Sequence, residues 1–247
     1  LDGQLYTFRI PGEFSEFFVN RILEKENLKL IEKLGISNKT IYFDVESGEK
    51  VATYIEGTPL HEGKNYPYKE IAKLLKKIHH SDLQSQEDYE PFLRLQQYES
   101  YNEDLGFVLP EKYLKIRNKF LYYKNILDNA PKVLCHGDSQ PSNFILSEHV
   151  LHLVDFEFTA NNDPIYDIAC FANIRLEDGL NLLKAYFDDV DYDMLERFYL
   201  WRAFQALQWY NVAIFKDIKG MSKTLKIDFL EVASKYLLLA TDLMKKV

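Results

Sequence analysis

The sequence predicts an α+β chain of two lobes: a small mixed N-terminal lobe over residues 1–57 and a larger helical C-terminal lobe over residues 58–247. Three observations carry that expectation. Short alternating apolar runs cluster ahead of residue 57, whereas helical periodicity dominates beyond it. The 247 residues and their 47% apolar share can fill two modest cores. Between the two regions, Glu56-Gly57-Thr58-Pro59 reads as a hinge.

The elements follow in order. Leu5-Tyr6-Thr7-Phe8-Arg9-Ile10 reads as a strand over residues 4–10, ended by Pro11-Gly12. A helix is expected over about 15–34, closed by Gly35 in the position where a left-handed residue ends a helix. The runs Ile41–Val45 and Val51–Ile55 alternate around Ser47-Gly48, a hairpin signal. Tyr68, Ile71, Ala72, Leu75, Ile78 and His79 then keep the spacing of one helix face. Further helices are expected over about 89–105, 111–129, 164–173, 180–187, 191–215 and 226–246. Short strands are expected at Val133-Leu134, Phe144-Ile145-Leu146 and Leu151–Val154. The acidic run Asp188–Asp193 is expected to be a solvated turn and helix start, where acids are favourable.

Between the later strands lies the most informative stretch, Cys135-His136-Gly137-Asp138-Ser139-Gln140-Pro141-Ser142-Asn143, followed by Leu153-Val154-Asp155-Phe156-Glu157. Phosphoryl transfer needs a carboxylate beside the attacking hydroxyl, oxygen ligands for Mg²⁺, and rigid placement of both. Asp138 supplies the first carboxylate, Asn143 an amide oxygen, and Asp155 a second carboxylate from the neighbouring strand. Protein kinases use the same grammar, His-Arg-Asp-x-x-x-x-Asn followed by Asp-Phe-Gly. Asp and Asn also favour plain turns, but a turn has no need of these positions in this order beside three strands. His136 joins Asp138 as a catalytic candidate, expected to order the loop rather than move protons, because Asp138 already fills the base role.

In the small lobe, a kinase places a cation over the ATP phosphates and steadies it with a helix carboxylate. Arg9 is the one basic residue of the first strand, and Glu24 lies on the following helix. Arg suits phosphate oxygens, so a phosphate contact for Arg9 is preferred over a bare surface charge.

Bulk properties narrow the partners. A net charge of −8 argues against nucleic acid or an anionic membrane surface and is compatible with a cationic substrate. Two cysteines make no framework and suggest a reducing compartment. No stretch reads as a signal peptide, and no apolar run approaches the ~20 residues that cross a bilayer. A cytoplasmic protein without membrane insertion is expected.

Four blocks together resemble the choline kinase branch of the aminoglycoside-phosphotransferase-like kinases, in particular the bacterial type that serves cell-surface phosphocholine decoration. They are Phe8-Arg9-Ile10-Pro11-Gly12, the run Asn20-Arg21 to Glu24 and Asn27-Leu28, Tyr54-Ile55-Glu56-Gly57, and the long stretch from His136 to Asp167. The resemblance spans nearly the whole chain. It implies a bilobal protein-kinase-like fold and ATP with Mg²⁺ as cofactors. Asp138 would orient the substrate hydroxyl, and Asn143 with Asp155 would hold Mg²⁺. Arg9, partnered by Glu24, would contact ATP phosphates, and the backbone of Tyr54, Ile55 and Glu56 would meet adenine. Gln140 would sit near the alcohol, Asp167 would brace the catalytic loop, and Glu157 would serve a second metal or the cationic head group.

Two departures stand out. The family begins with a helix, a first strand and the loop that covers the phosphates, none of which is present, so a piece of a longer protein is expected. Choline kinases also carry two tryptophans three apart on a late helix. This chain has Trp209 but Ala206 where the first would fall, and Trp201 lies two turns earlier.

A quaternary ammonium cannot donate hydrogen bonds, so its recognition relies on aromatic faces and diffuse negative charge. The candidates are Phe158, Tyr166, Trp201, Trp209 and Tyr210, with Gln140 beside the hydroxyl; each aromatic also reads as core packing. The expected activity is transfer of the γ-phosphoryl group of ATP to choline. Ethanolamine, thiamine and an aminoglycoside are alternative acceptors, and a non-catalytic ligand-binding pseudokinase is the alternative of another class.

Overall fold

The computed structural model describes residues 3–63 and 65–247, leaving Leu1, Asp2 and Lys64 outside. In chain order it runs β1 (Tyr6–Arg9), α1 (Arg21–Glu32), β2 (Thr40–Phe43), β3 (Lys50–Thr53), β4 (Thr58–Pro59) and α2 (Tyr68–His79). Next come α3 (Pro91–Asp104), α4 (Glu111–Tyr122), α5 (Lys124–Asp128), β5 (Val133–Cys135), β6 (Phe144–Ser147), β7 (Val150–Leu153) and β8 (Ala160–Asn162). The chain closes with α6 (Pro164–Phe171), α7 (Leu176–Tyr186), α8 (Tyr192–Ile218), α9 (Met221–Leu225) and α10 (Phe229–Leu243).

These elements form two compact units. The first joins Leu1–Tyr89 to Pro131–Val190, and the second joins Glu90–Ala130 to Asp191–Val247.

In the first unit, β3 lies between β1 and β2 in an antiparallel sheet, and the β1–β3 register sets Arg9 opposite Lys50. Two smaller antiparallel sheets follow, β4-β6-β7 and β5-β8. They flank the loops on either side of β6, and α2, α6 and α7 pack together behind them. Ile71, Leu75, Ile78, Phe144, Leu153, Ile168 and Phe171, all fully or almost fully buried, form that core.

The second unit is helical. Helix α8 is buried on nearly every side from Phe198 to Phe215, its polar Arg202, Gln205, Gln208 and Asn211 included. Helices α3, α4 and α10 pack around it.

Several expectations are refined. The stretch expected as one helix over 15–34 is a single 3₁₀ turn, Ser15–Phe17, and then α1. The break falls at Asn20, whose side chain accepts the Leu23 N–H at 3.1 Å and so starts a new helix. The stretch over 111–129 divides at Tyr123 into α4 and α5. Helix α7 begins at Leu176 rather than 180, and the two-residue β4, β8 and the short α9 carried no recognised signal. Gly35 sits at φ 59 after α1, and Asp191 caps α8 by accepting the Met194 N–H at 2.8 Å, both as expected.

Candidate active site

The segment from His136 to Asn143 is held by a carboxylate beneath it. Asp167, fully buried on α6, accepts the backbone N–H of His136 at 2.7 Å through Oδ2 and that of Gly137 at 2.9 Å through Oδ1. Its Oδ2 also meets His79 Nε2 at 3.0 Å, and Ser139 Oγ donates to its carbonyl oxygen at 2.5 Å. Burial by itself pushes the Asp167 carboxyl up, but the hydrogen bond and charge of His79, then His136 and the Gly137 N–H, outweigh it and hold the group below its ordinary value. The bracing role expected of Asp167 is therefore visible in its bonds.

His136 is itself fully buried, and backbone occupies both its ring nitrogens. Nε2 lies 3.0 Å from the Val154 carbonyl, and Nδ1 takes the Asp138 N–H at 3.1 Å. Burial pushes its pKa down, consistent with a neutral ring carrying its proton on Nε2. Its edge packs on Phe156, with centroids 4.5 Å apart. Between His136 and Asp138, Gly137 adopts φ 85 with its Cα against the Phe158 carbonyl, where any Cβ would collide. Only glycine serves there.

Asp138 therefore arrives on a fixed loop. Its Oδ2 accepts from Gln140 Nε2 at 3.0 Å and Asn143 Nδ2 at 3.1 Å, and Asn143 Nδ2 also reaches the Asp138 carbonyl at 2.7 Å. With its amino group so committed, the Asn143 amide turns its oxygen away from Asp138. Asp155 stands two residues beyond β7 with φ 70, a left-handed conformation that carries some strain for any residue but glycine. Strain of this kind persists where surrounding structure dictates the direction of a side chain.

The resulting group is crowded with negative charge. Burial and then the Asp155 charge push the Asp138 carboxyl up to about 8. Burial and Asp155 likewise push Glu157 up to about 7 against the opposing pull of Arg9. Carboxylates gathered in this way without enough cations favour a bound cation. Asn143, Asp155 and Glu157 offer only oxygen donors, the set that suits Mg²⁺. These residues could hold such an ion.

Arg9 on β1 meets Glu24 on α1 in a two-pronged pair, Nη1–Oε1 at 2.7 Å and Nη2–Oε2 at 3.0 Å. It also reaches Glu157 at 3.3 Å and Asp155 at 3.5 Å. Lys50 adds a second cation, its Nζ 3.2 Å from Glu24 Oε1. Helix α1 is tied to the catalytic segment as well. Asn27 Nδ2 donates to the Thr159 carbonyl at 2.6 Å, and Thr159 Oγ1 donates to the His136 carbonyl at 3.2 Å.

Of the residues the sequence singles out, Asp138, His136, Asn143, Asp155, Glu157, Gln140, Arg9 and Glu24 meet in this one network within the first unit. Tyr54, Ile55 and Glu56 lie in the connection from β3 to β4, with Tyr54 46% exposed. Phe158 is half-buried beside Gly137. Tyr166 is buried, its hydroxyl 2.9 Å from that of Tyr89.

The remaining aromatic candidates belong to the second unit. Trp201 is 1% exposed, edge-on to Phe204. Tyr210 is buried and stacks on Tyr113 with centroids 4.7 Å apart. Trp209 is half-buried.

Four residues escaped sequence reasoning: Lys50, His79, Thr159 and Asn173. Lys50 lies one residue ahead of the expected run Val51–Ile55, and strand pairing brings it to Glu24.

The sequence matches the family described as phosphotransferase enzyme family over residues 23–205. Protein LicA of Haemophilus influenzae is 24% identical over 195 residues, 75% of this chain and 73% of that protein. The crystal structure of choline kinase LicA from Streptococcus pneumoniae has 27% identity and a TM-score of 0.77, covering 96% of this chain and 88% of that one. A structure of LicA in complex with AMP has 27% identity and a TM-score of 0.82, covering 99% of this chain and 85% of that one. The fold is thus protein-kinase-like α+β, with a small sheet-bearing N-terminal region and a larger helical part.

Proposed function

The chain belongs to the phosphotransferase enzyme family, and from that premise we propose that it transfers the γ-phosphoryl group of ATP to the hydroxyl of choline, giving phosphocholine. Phosphoryl transfer to an alcohol is the activity of the family; choline is the finer assignment. The observation that carries the reading is the convergence of Asp138, Asn143, Asp155 and the Arg9–Glu24 pair in one network. Each satisfies a separate need of phosphoryl transfer: a base, ligands for Mg²⁺, and a steadied cation for phosphate.

In this account Asp138 accepts the proton of the choline hydroxyl as its oxygen attacks the γ-phosphorus, and the bond to the ADP oxygen breaks. His136 orders the loop, and its neutral ring takes no proton. Asn143 and Asp155 would hold Mg²⁺, with Glu157 beside them, and the ion supplies charge neutralisation on the phosphate oxygens. Arg9 contacts those oxygens, kept in place by Glu24, and the backbone of Tyr54 to Glu56 meets adenine. Residues 1–57 serve as the nucleotide-binding lobe and residues 58–247 supply the catalytic loop and acceptor recognition.

Choline is supported by the likeness to two LicA structures, one of them of a choline kinase. Ethanolamine is the second reading, favoured by one observation: Ala206, fully buried, stands where the family's first cage tryptophan would fall. ATP and a small cationic alcohol are its proposed partners, and the cytoplasm, which supplies ATP, is its proposed location. Phosphorus NMR of a reaction with Mg-ATP and choline tests the assignment. A phosphomonoester resonance growing with ADP supports it, and unchanged ATP sinks it.

A further inference from the structure

Asn173 follows α6 just beyond the helix end, where its backbone N–H closes on the Cys170 carbonyl at 3.1 Å. Its side chain points back to the catalytic loop. Nδ2 donates to Gln140 Oε1 at 2.9 Å, and Gln140 Nε2 in turn donates to Asp138 Oδ2 at 3.0 Å. A primary amide has one accepting and one donating end. A carboxylate only accepts, so Gln140 turns its NH₂ to Asp138, and Asn173, donating to the Gln140 oxygen, holds that orientation from the other side.

The consequence lies on Asp138. Gln140 Nε2 and Asn143 Nδ2 both donate to Oδ2. Among the described residues no group donates to Oδ1. A hydroxyl that must give up its proton then finds one carboxylate oxygen saturated and the other open.

We propose that Asn173 is a positioning residue for phosphoryl transfer: through Gln140 it keeps Asp138 Oδ2 occupied and leaves Oδ1 as the atom that accepts the acceptor's proton. The inference rests on the reading of Asp138 as the base. Asn173 itself does not reach the carboxylate; it acts through the orientation of one amide. That orientation has a testable polarity. With Asp at position 173, the size is kept but the donor becomes an acceptor, so two carboxylates compete for the one NH₂ of Gln140 and the amide is drawn off Asp138. With Leu, the Gln140 oxygen loses its donor and Asp138 alone orients the amide.

The test compares Asn173→Asp, Asn173→Leu, Gln140→Met and the double variant Gln140→Met/Asn173→Leu in steady-state ADP release with Mg-ATP and the acceptor. Asn173→Asp is expected to lower kcat roughly tenfold to a hundredfold, a share of what a positioned base contributes. Asn173→Leu is expected to lose less, with the KM for ATP and the thermal midpoint of both close to wild type. In the Gln140→Met background, Asn173→Leu is expected to cost nothing further, because the amide it directs is gone. A full additional loss in that background overturns the proposal, as does a fall in kcat that merely tracks a fall in thermal midpoint. Unaltered kcat in both single variants overturns it too. Wild-type turnover separates the two readings. Without turnover on choline, ethanolamine, thiamine or kanamycin, the functional reading falls and takes this inference with it; an active wild type with indifferent Asn173 variants removes this inference alone.

Discussion

Arg9 and Glu24 face each other through two parallel contacts, 2.7 and 3.0 Å, and the Glu24 side chain is wholly buried. A guanidinium makes such a fork and an ammonium does not. Arg9→Lys therefore keeps the charge and loses one charge-assisted hydrogen bond, worth about 1.5–3 kcal/mol. The expected outcome is a KM for ATP raised roughly tenfold or more, with the KM for the acceptor little changed. Initial-rate kinetics with each substrate varied in turn checks this. Equal effects on both substrates would count against a phosphate role for Arg9.

Gly137 and Gly106 have nearly the same backbone angle, φ 85 and φ 83, in different surroundings. A Cβ on Gly137 would strike the Phe158 backbone, whereas one on Gly106 would meet nothing within 4 Å. Gly106→Ala should then cost only the left-handed strain, about 1 kcal/mol. Gly137→Ala should cost more than this and should also abolish turnover, because the loop bearing Asp138 must move. Urea denaturation of both variants alongside their activity separates strain from collision.

Asp167 confers acid-sensitive stability. Its carboxyl is held below the ordinary value in the folded chain, so its contribution is complete above the unfolded value of about 3.9. The contribution is lost as pH falls below that value and through the folded one. Asp167→Asn lacks this component. The stability gap between wild type and variant should be widest near neutrality and narrow as pH drops below about 4. Urea midpoints measured across this range supply the check, and a gap independent of pH would contradict the assignment.

The catalytic segment was legible because its signal is local. Asp138, Asn143 and Asp155 lie within one hairpin-like stretch, and the strands that position them adjoin in sequence. Arg9 and Glu24 were legible for a similar reason, a single basic residue on one strand and an acid on the next helix. Lys50 was not, because its approach to Glu24 depends on β1 pairing with β3 across the intervening helix, and the visible hairpin signal concerned only β2 and β3. His79 read as one more position on an apolar face, although it meets Asp167 from a helix far away in sequence. Asn173 gave no signal at all, since what it does is set by the orientation of one amide. The aromatic candidates show the converse limit: composition named Trp201 and Tyr210, but only burial distinguishes a packed ring from an available one.

That distinction yields its own expectation. Trp201 is 1% exposed and packed on Phe204, so Trp201→Ala should remove about 3–5 kcal/mol of stability and disturb kinetics only through folding. Trp209 is half-buried and is assigned by family resemblance to the quaternary ammonium. Trp209→Ala should raise the KM for choline several-fold, in keeping with the roughly 0.5–2 kcal/mol of a cation–π contact, without altering the KM for ATP. Thermal melts and acceptor kinetics on the two variants test the pair. A Trp209 variant with wild-type KM for choline would remove it from acceptor recognition.

The central claim is that Asp138 activates the hydroxyl of a small cationic alcohol for attack on ATP. ADP release with Mg-ATP, measured across choline, ethanolamine, thiamine and kanamycin for wild type and Asp138→Asn, tests it most directly. Turnover with choline is expected, falling by about 10²–10⁴ in the variant. Acceptor-independent ADP release, or turnover that survives Asp138→Asn, would contradict it.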